Sequence, residues 1–164
     1  MTALRFSLAD VEVAHDKWGA NCGPAALAAV CGLTLDQVRS HLNGFTAKGY
    51  TNPTMMFRAL DSLGVAWQRR SDSRWPDHGL ARIQWEGPWT APGVPIRARY
   101  RHTHWVGSWH SSRNGVGIFD VNAMNSGGWI ALRDWERITV PWILQECVPR
   151  ASGTWHITHA IEVP

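Results

Sequence analysis

The spacing of apolar residues changes once along this chain, near Gly64, and this change constrains the fold more than any other feature. Before Gly64 the apolar residues recur at helical spacing. After it, short apolar or alternating segments are separated by glycine and proline, as strands and turns are. Helices therefore precede a mostly antiparallel sheet, which predicts an α+β fold with a helical layer packed on the sheet. With 164 residues and no repeat or linker, we expect a single domain over residues 1–164.

Three helices are predicted before Gly64, and no element is assigned ahead of Cys22. The first covers residues 22–30 in an alanine-rich run that Gly32 ends. The second begins at Thr34, which forms a capping box with Gln37. The third begins at Asn52, as N-cap, and ends before Gly64. Residues 44–50 are predicted to be a loop.

Strands are predicted at residues 65–69, 80–85, 96–109, 115–121, 129–132 and 154–163, with a hairpin turn at residues 111–115. Residues 134–146 are expected to be partly helical and interrupted by Pro141. In a long strand over 96–109, Arg97, Arg99 and Arg101 would share one face. That face is either solvated or a basic stripe for phosphate or another acidic ligand.

Cys22 lies where a loop meets the alanine-rich helix, with Gly23 and Pro24 directly after it. Proline suits the first helical turn, since its missing N–H is one of the groups a helix start leaves unpaired. Backbone N–H groups and the positive end of the helix dipole favour a thiolate there over a thiol. The same amides can bind an oxyanion that develops beside the sulfur. The sequence therefore predicts that Cys22 is a nucleophile and that Cys31 is a buried structural cysteine.

A nucleophilic cysteine needs a base and a group that orients the base. His104 begins an apolar strand, and Asp120 ends the strand that the hairpin pairs with it. We expect the two side chains to lie side by side across this ladder, with Asn122 on the same face as an alternative orienting group. His102 and His104 also form an HxH pair, so a metal site completed by Asp120, His156 or His159 is a competing interpretation. We predict no metal and no cofactor, because no stronger metal signature accompanies the pair.

Five segments resemble papain-like cysteine peptidases in their order and spacing. They are Asn21-Cys22-Gly23-Pro24-Ala25-Ala26, Gly49-Tyr50-Thr51, Leu63-Gly64-Val65, His104-Trp105-Val106-Gly107 and Ile118-Phe119-Asp120. The chain is most similar to the bacteriocin-leader-processing peptidase domain found on certain exporters and to its stand-alone relatives. The resemblance implies a papain-like fold in which Cys22 is the nucleophile, His104 the general base and Asp120 the orienting group. The tail beyond Asp120 lies outside it and is interpreted as a lineage-specific addition.

One departure from this family concerns the oxyanion donor. Its members carry a glutamine a few residues before the cysteine, whereas this chain has His15, Asp16, Lys17 and Trp18 there. His15, Lys17 or Asn21 could replace that glutamine, or the Cys22 amide could act alone. Because losing one such donor typically costs about 10²–10³ in turnover, a slow enzyme or a non-catalytic relative remains an alternative. The alternative function is a binding module whose tryptophan-rich groove holds a peptide or protein; the chain has 11 tryptophans.

The composition of the chain limits the expected classes of substrate and the expected cellular compartment. The formal charge is only +3, so we expect a peptide or protein substrate rather than nucleic acid. No apolar run is long enough to span a membrane, and the N-terminal residues lack the apolar core of a signal peptide. The three cysteines form no disulfide framework. A cytoplasmic hydrolase that cleaves a peptide or isopeptide bond through an acyl-enzyme is the function predicted from these features.

Overall fold

The computed structural model describes residues 3–164, which form helices and one antiparallel sheet. The helices are α1 (Leu8–Trp18), α2 (Cys22–Cys31), α3 (Leu35–Arg39), α4 (Phe45–Lys48), α5 (Pro53–Ser62), α6 (Ile96–Arg99), α7 (Leu132–Asp134) and α8 (Val140–Glu146). The strands are β1 (Gln68–Arg70), β2 (His78–Trp85), β3 (Thr103–Ser111), β4 (Gly115–Phe119), β5 (Trp129–Ala131) and β6 (Trp155–Glu162). Short 3₁₀ segments cover Pro88–Thr90 and Val121–Ser126, and a π-helical turn covers Trp135–Thr139. This combination is the α+β class that the change of spacing predicts.

The sheet has the strand order β1-β6-β2-β3-β4-β5, and all neighbouring strands are antiparallel. Each face of the sheet carries its own apolar core. One core joins the N-terminal helices to residues such as Leu80, Trp105 and Phe119. The other joins the opposite face to the C-terminal helical segment through residues such as Trp85 and Trp135. The sheet is therefore covered on both sides, and the two helical layers come from opposite ends of the chain.

Helix α2 lies directly on β3 and is buried from Gly23 to Val30. Its alanines have small side chains, so the helix axis can approach the sheet closely. Gly107 in β3 assists this approach, because a Cβ at that position would lie only 3.0 Å from the Val30 side chain. The N-terminus of α2, with Cys22, is thereby fixed relative to β3.

The prediction that no element precedes Cys22 is wrong, because α1 covers residues Leu8–Trp18. Its boundaries follow rules that the sequence does contain. Ser7 and Asp10 form a capping box, and Gly19 takes the left-handed conformation (φ 76°) that ends many helices. The helix has a mostly polar surface with only Ala14 and Trp18 buried, so its apolar spacing is weak. A further short helix, α4, occupies part of the predicted loop at 44–50.

The prediction of a strand from residue 96 is also wrong. Pro95 is the N-cap of α6, and β3 begins only at Thr103. Arg97 and Arg99 therefore lie on a helical turn, and the arginines do not form a stripe on one strand face. The hairpin itself is confirmed, since Ser111 pairs with Gly115 at its closed end.

The segment after Asp120 is an integral part of the sheet. Strand β6 pairs with both β1 and β2, so the last strand of the chain lies between two earlier ones. Pro141 does not interrupt the helical segment as predicted: it lies in the first turn of α8, directly after the π-helical turn. None of the helices in the described chain has the length and apolar character needed to cross a bilayer.

Candidate active site

Cys22 is the first residue of α2, and its side chain is partly exposed. The N-cap residue, Asn21, makes no side-chain bond to the helix amides; it donates instead to the carbonyl of Gly49 at 2.9 Å. Pro24 has no N–H, and the amide of Ala25 donates to the Asn21 carbonyl at 3.1 Å. In the described chain the amides of Cys22 and Gly23 have no backbone acceptor, as is usual at a helix start.

The environment of Cys22 favours the thiolate. Burial alone raises the pKa of the Cys22 thiol, but the positive charge of His104 and a hydrogen bond to its ring lower it. A backbone hydrogen bond from Trp105 adds to this effect, and the net pKa lies below the ordinary value of 9.0. Cys31 shows the contrast, because burial raises its pKa to about 11 with no opposing charge. The pKa values of the two cysteines at the ends of one helix thus shift in opposite directions, and Cys31 is partly buried, whereas the sequence predicts it to be buried.

His104 and Asp120 are in direct contact, although not across a strand ladder as expected. The Nε2–H group of His104 donates to Oδ2 of Asp120 at 2.9 Å. The β3–β4 ladder ends at the pair Gly107–Phe119, before it reaches His104. Asp120 is the N-cap of the following 3₁₀ segment, and the change of chain direction there brings its carboxylate to the imidazole. At His104, β3 therefore has no strand neighbour on the β4 side among residues 3–164.

Asp120 has no exposed surface and accepts four hydrogen bonds. Besides His104, Trp135 donates its indole Nε1–H to Oδ2 at 2.7 Å. The backbone and side-chain N–H groups of Asn122 donate to Oδ1 at 2.8 and 3.1 Å. Asn122 therefore holds Asp120 rather than replacing it as the partner of His104. Trp135 was not predicted for this site, because its role depends on a contact between distant segments.

These contacts also determine the charge state of His104. Burial opposes the charged imidazolium, but the charges of Asp120 and Cys22 and the hydrogen bonds to both outweigh burial, and the pKa of His104 lies well above 6.5. For Asp120, burial raises the pKa, but the charge of His104 and the hydrogen bonds from His104, Trp135 and Asn122 lower it by more. The net pKa of Asp120 is therefore lowered. Trp85 stacks on the His104 ring with centroids 6.0 Å apart. The three shifts each favour the charged form of the group: the thiolate of Cys22, the imidazolium of His104 and the carboxylate of Asp120.

A cavity of about 700 Å³ opens in front of Cys22 and His104. Helix α1 contributes Glu12, His15 and Asp16 to its lining, and the C-terminal segment contributes Ile143, Cys147 and Val148. Asn21, Asn122 and the segment from Arg101 to Thr103 line it as well. Because the cavity is open and lined from several elements, it can admit an extended chain to the sulfur.

Of the proposed replacements for the glutamine, His15 and Asn21 line this cavity, and Lys17 is not in its lining. His15 donates its Nδ1–H to the carbonyl of Ala20 at 3.2 Å, which leaves a lone pair on Nε2 in the neutral ring. It can therefore donate toward an oxyanion only as an imidazolium. Asn21 donates one amide N–H to Gly49, which holds the side chain in place and leaves its second N–H as a further donor. The amides of Cys22 and Gly23 are the most direct donors to an oxyanion at this site.

The metal site at His102 and His104 and the tryptophan-rich binding groove are the other two hypotheses from the sequence, and the same geometry bears on both. Among residues 3–164, no group of three His, Cys, Asp or Glu side chains is placed to hold a metal ion. His102 lies before β3, with its ring 4.3 Å from that of Trp89. Trp85 is the tryptophan that lines the cavity beside Cys22, whereas Trp75 and Trp155 line a second cavity of about 690 Å³. Many of the remaining tryptophans pack in the two cores.

No protein-family model matches this chain, and a search of curated proteins returns no matching sequence. Functional inference for this protein therefore starts from the chemistry of the site.

Proposed function

We propose that this protein is a papain-like thiol hydrolase, a cysteine peptidase that cleaves a peptide or isopeptide bond through an acyl-enzyme. One observation carries the proposal: Cys22 at the start of a buried helix meets His104, whose other ring nitrogen donates to the fully buried Asp120. Nucleophile, base and orienting group are the three parts that thiol acyl transfer requires. The resemblance of the sequence segments around these residues to papain-like peptidases supports the same assignment.

In the proposed reaction, the Cys22 thiolate attacks the carbonyl carbon of the scissile bond. The carbonyl oxygen becomes an oxyanion, which the Cys22 and Gly23 amides at the start of α2 stabilise. The imidazolium of His104 then gives its proton to the leaving amine, and the C–N bond breaks to leave a thioester on Cys22. Water attacks the thioester while His104 takes one of its protons. The acid is released, and the thiolate–imidazolium pair is restored.

A second candidate, a binding module without turnover, is favoured by one feature of the cavity. Within the described chain, no glutamine is in its lining, and the side-chain amides of Asn21 and Asn122 each use one of their two N–H groups on Gly49 and Asp120. An oxyanion hole built from backbone amides alone is weaker than one with an added side-chain donor. A protein that uses the cleft only to bind would need neither the thiolate nor the imidazolium.

Covalent trapping distinguishes these two functions. The protein is incubated at pH 7 with tripeptide vinyl sulfones whose terminal side chain is glycine, alanine, leucine, aspartate or lysine. Vinyl sulfones add to an activated thiolate, and mass spectrometry of the digested protein identifies the modified cysteine. A peptidase is expected to form a 1:1 adduct on Cys22 that increases in proportion to time and depends on the tripeptide.

Cys147→Ser is the matched control, because Cys147 lines the same cavity but has no histidine or carboxylate partner in the described structure. The adduct should persist in Cys147→Ser and disappear in Cys22→Ser. Modification of Cys22 that is no faster than that of Cys147 for every tripeptide would exclude the hydrolase. Binding of an unreactive peptide that is equal in wild type and Cys22→Ser, without any adduct, would support the binding module.

A further inference from the structure

Arg82 in β2 is a buried cation that the catalytic scheme does not use. Its side chain is only 7% exposed, and its Nε–H has no hydrogen-bond partner. No carboxylate in the described chain forms an ion pair with it. Its contacts are a long hydrogen bond of 3.4 Å to Oγ1 of Thr103 and the ring of Tyr100, 5.6 Å away. Both are weak compensation for a charge that has lost most of its water.

Three features place this cation beside the proposed active site. Arg82 pairs with Trp105 across β2 and β3, and the backbone of Trp105 donates to the sulfur of Cys22. Thr103 lines the same cavity as Cys22, and Arg82, which is not itself in that lining, reaches the cavity wall through its Nη2 contact with Thr103. Burial lowers the pKa of Arg82, while Tyr100 and the Cys22 thiolate act in the opposite direction. The guanidinium therefore lies within electrostatic range of the sulfur.

The strand geometry at Arg82 is irregular as well. The pairing of β2 with β6 shifts directly after Arg82, where β6 contains one extra residue. Such bulges turn side chains away from the regular pleat, and they are common next to active sites. His159, the β6 partner of Arg82, has its pKa lowered to about 4 by burial and by the charges of Arg69 and Arg82. It is neutral near pH 7 and adds no second positive charge beside Arg82, and no carboxylate in the described part of β6 forms an ion pair with the guanidinium.

We propose that Arg82 and Thr103 form an anion subsite that takes a carboxylate of the peptide substrate next to the scissile bond. A guanidinium can bind a carboxylate through two parallel N–H···O bonds, and these are strong where water is largely excluded. Glu12 and Asp16 line the cavity from α1, so an incoming carboxylate is favoured at the Thr103 side and disfavoured along α1. The substrate class is thus a peptide with an Asp or Glu side chain, or a free C-terminal carboxylate, beside the bond that is cut. This specificity depends on the proposed hydrolase function.

The preference of the site for a carboxylate can be measured by alkylating Cys22 with a matched pair of reagents, one charged and one neutral. Iodoacetate and iodoacetamide have nearly the same shape and differ in charge, and the ratio of their rates at N-acetylcysteine gives the intrinsic difference. At Cys22 we expect the ratio of iodoacetate to iodoacetamide rates to exceed that reference about tenfold, in keeping with the strength of a charged hydrogen bond. Arg82→Met should return the ratio to the reference, because the iodoacetate rate should fall by more than the iodoacetamide rate. Arg97→Gln removes the same charge from an exposed site on α6 and should leave the ratio unaltered.

The possible outcomes separate the subsite from other roles of Arg82. A ratio that Arg82→Met does not change would overturn the proposal. An equal fall in both rates would do the same, because Arg82 would then act on the thiolate and not on a ligand. Since removal of an unpaired buried charge is often neutral or stabilising, Arg82→Met should melt at the wild-type temperature or above. A large fall in melting temperature with an unchanged ratio would assign Arg82 a structural role only.

A titration followed by NMR tests the subsite even if Cys22 proves unreactive. Cys22→Ala protein is titrated with N-acetylglycine, which mimics a chain terminus, and with N-acetylaspartic acid α-amide, which mimics an acidic side chain. The buried Nε–H of Arg82, assigned by its loss in Arg82→Lys, should shift with one or both acids. It should not shift with N-acetylglycinamide or N-acetylasparagine amide. The acid that shifts it identifies the source of the carboxylate, and no shift with either acid would refute the subsite independently of the hydrolase proposal.

Discussion

Replacement of His104 by alanine is expected to slow alkylation of Cys22 by iodoacetamide about tenfold at pH 7. In the folded protein, burial raises the pKa of the Cys22 thiol, and His104 is the main group that lowers it. Without His104, burial and the negative charge of Asp120 act against only the backbone bond from Trp105. The pKa of Cys22 in the variant should therefore reach or exceed the ordinary value of 9.0.

The magnitude follows from the ionised fraction and the reactivity of the thiolate. A thiol with a pKa of 9.0 is about 1% ionised at pH 7, so a wild-type thiol that is mostly ionised there would lose about 100-fold of its thiolate in the variant. A thiolate of higher pKa is also a better nucleophile, with a Brønsted coefficient of about 0.4–0.5. Over two pH units this recovers about tenfold, and a net decrease of about tenfold remains. The midpoint of the pH–rate curve should move to higher pH in the variant.

The assay is site-resolved alkylation between about pH 5 and pH 10, read by mass spectrometry of the peptides that contain each cysteine. Cys31 provides an internal reference, since burial raises its pKa to about 11 and His104 does not contribute to it. His110→Ala is the matched control, because His110 lies at the other end of β3 with an exposed side chain. Equal Cys22 rates and equal midpoints in wild type and His104→Ala would refute the thiolate–imidazolium pair.

Three further predictions follow from the same geometry. Trp135→Phe removes a donor from the buried Asp120 and should lower the free energy of unfolding by about 1–3 kcal/mol in urea titrations, with slower Cys22 alkylation; unchanged values for both would contradict its role. The rate of peptide hydrolysis should be bell-shaped in pH, because the thiolate is lost below the lowered pKa of Cys22 and the imidazolium is lost above the raised pKa of His104. The rate of Cys22 alkylation needs only the thiolate, so it should rise with pH and then stay level. Two pH profiles of the same shape would exclude His104 as the acid. Gly23→Ala adds a methyl group that overlaps the Thr51 side chain, so it should destabilise the protein by about 1–3 kcal/mol in the same titrations, and a neutral effect would show that Thr51 moves freely.

The parts of the fold that the sequence predicts correctly are those with local rules. The cap at Thr34, the proline after Asn52 and the turn between β3 and β4 each depend on residues a few positions apart. Cys22 belongs with them, because its position before an alanine-rich helix is visible in one segment of sequence. The missed helix α1 obeys the same capping rules, but its weak apolar spacing hid it.

The long-range features could not be obtained from local patterns. The expected ladder contact between His104 and Asp120 has the wrong geometry, since the ladder ends before His104 and a turn of the chain brings the two groups together. Nothing local to Trp135 indicates that its indole reaches a carboxylate 15 residues earlier. Arg82 similarly becomes conspicuous only when the structure shows that no acidic group accompanies it.

The hydrogen bonds around Asp120 explain why the proposed site needs both helical layers. A carboxylate has about four lone-pair positions, and His104, Trp135 and the two donors of Asn122 fill all of them. Protonation would break one of these bonds in a place without water, so Asp120 stays anionic. An anionic Asp120 keeps the proton on Nε2 of His104 and directs Nδ1 to Cys22. Because Trp135 comes from the segment after Asp120, the C-terminal layer holds the orienting group, and the N-terminal layer holds the nucleophile at the start of α2.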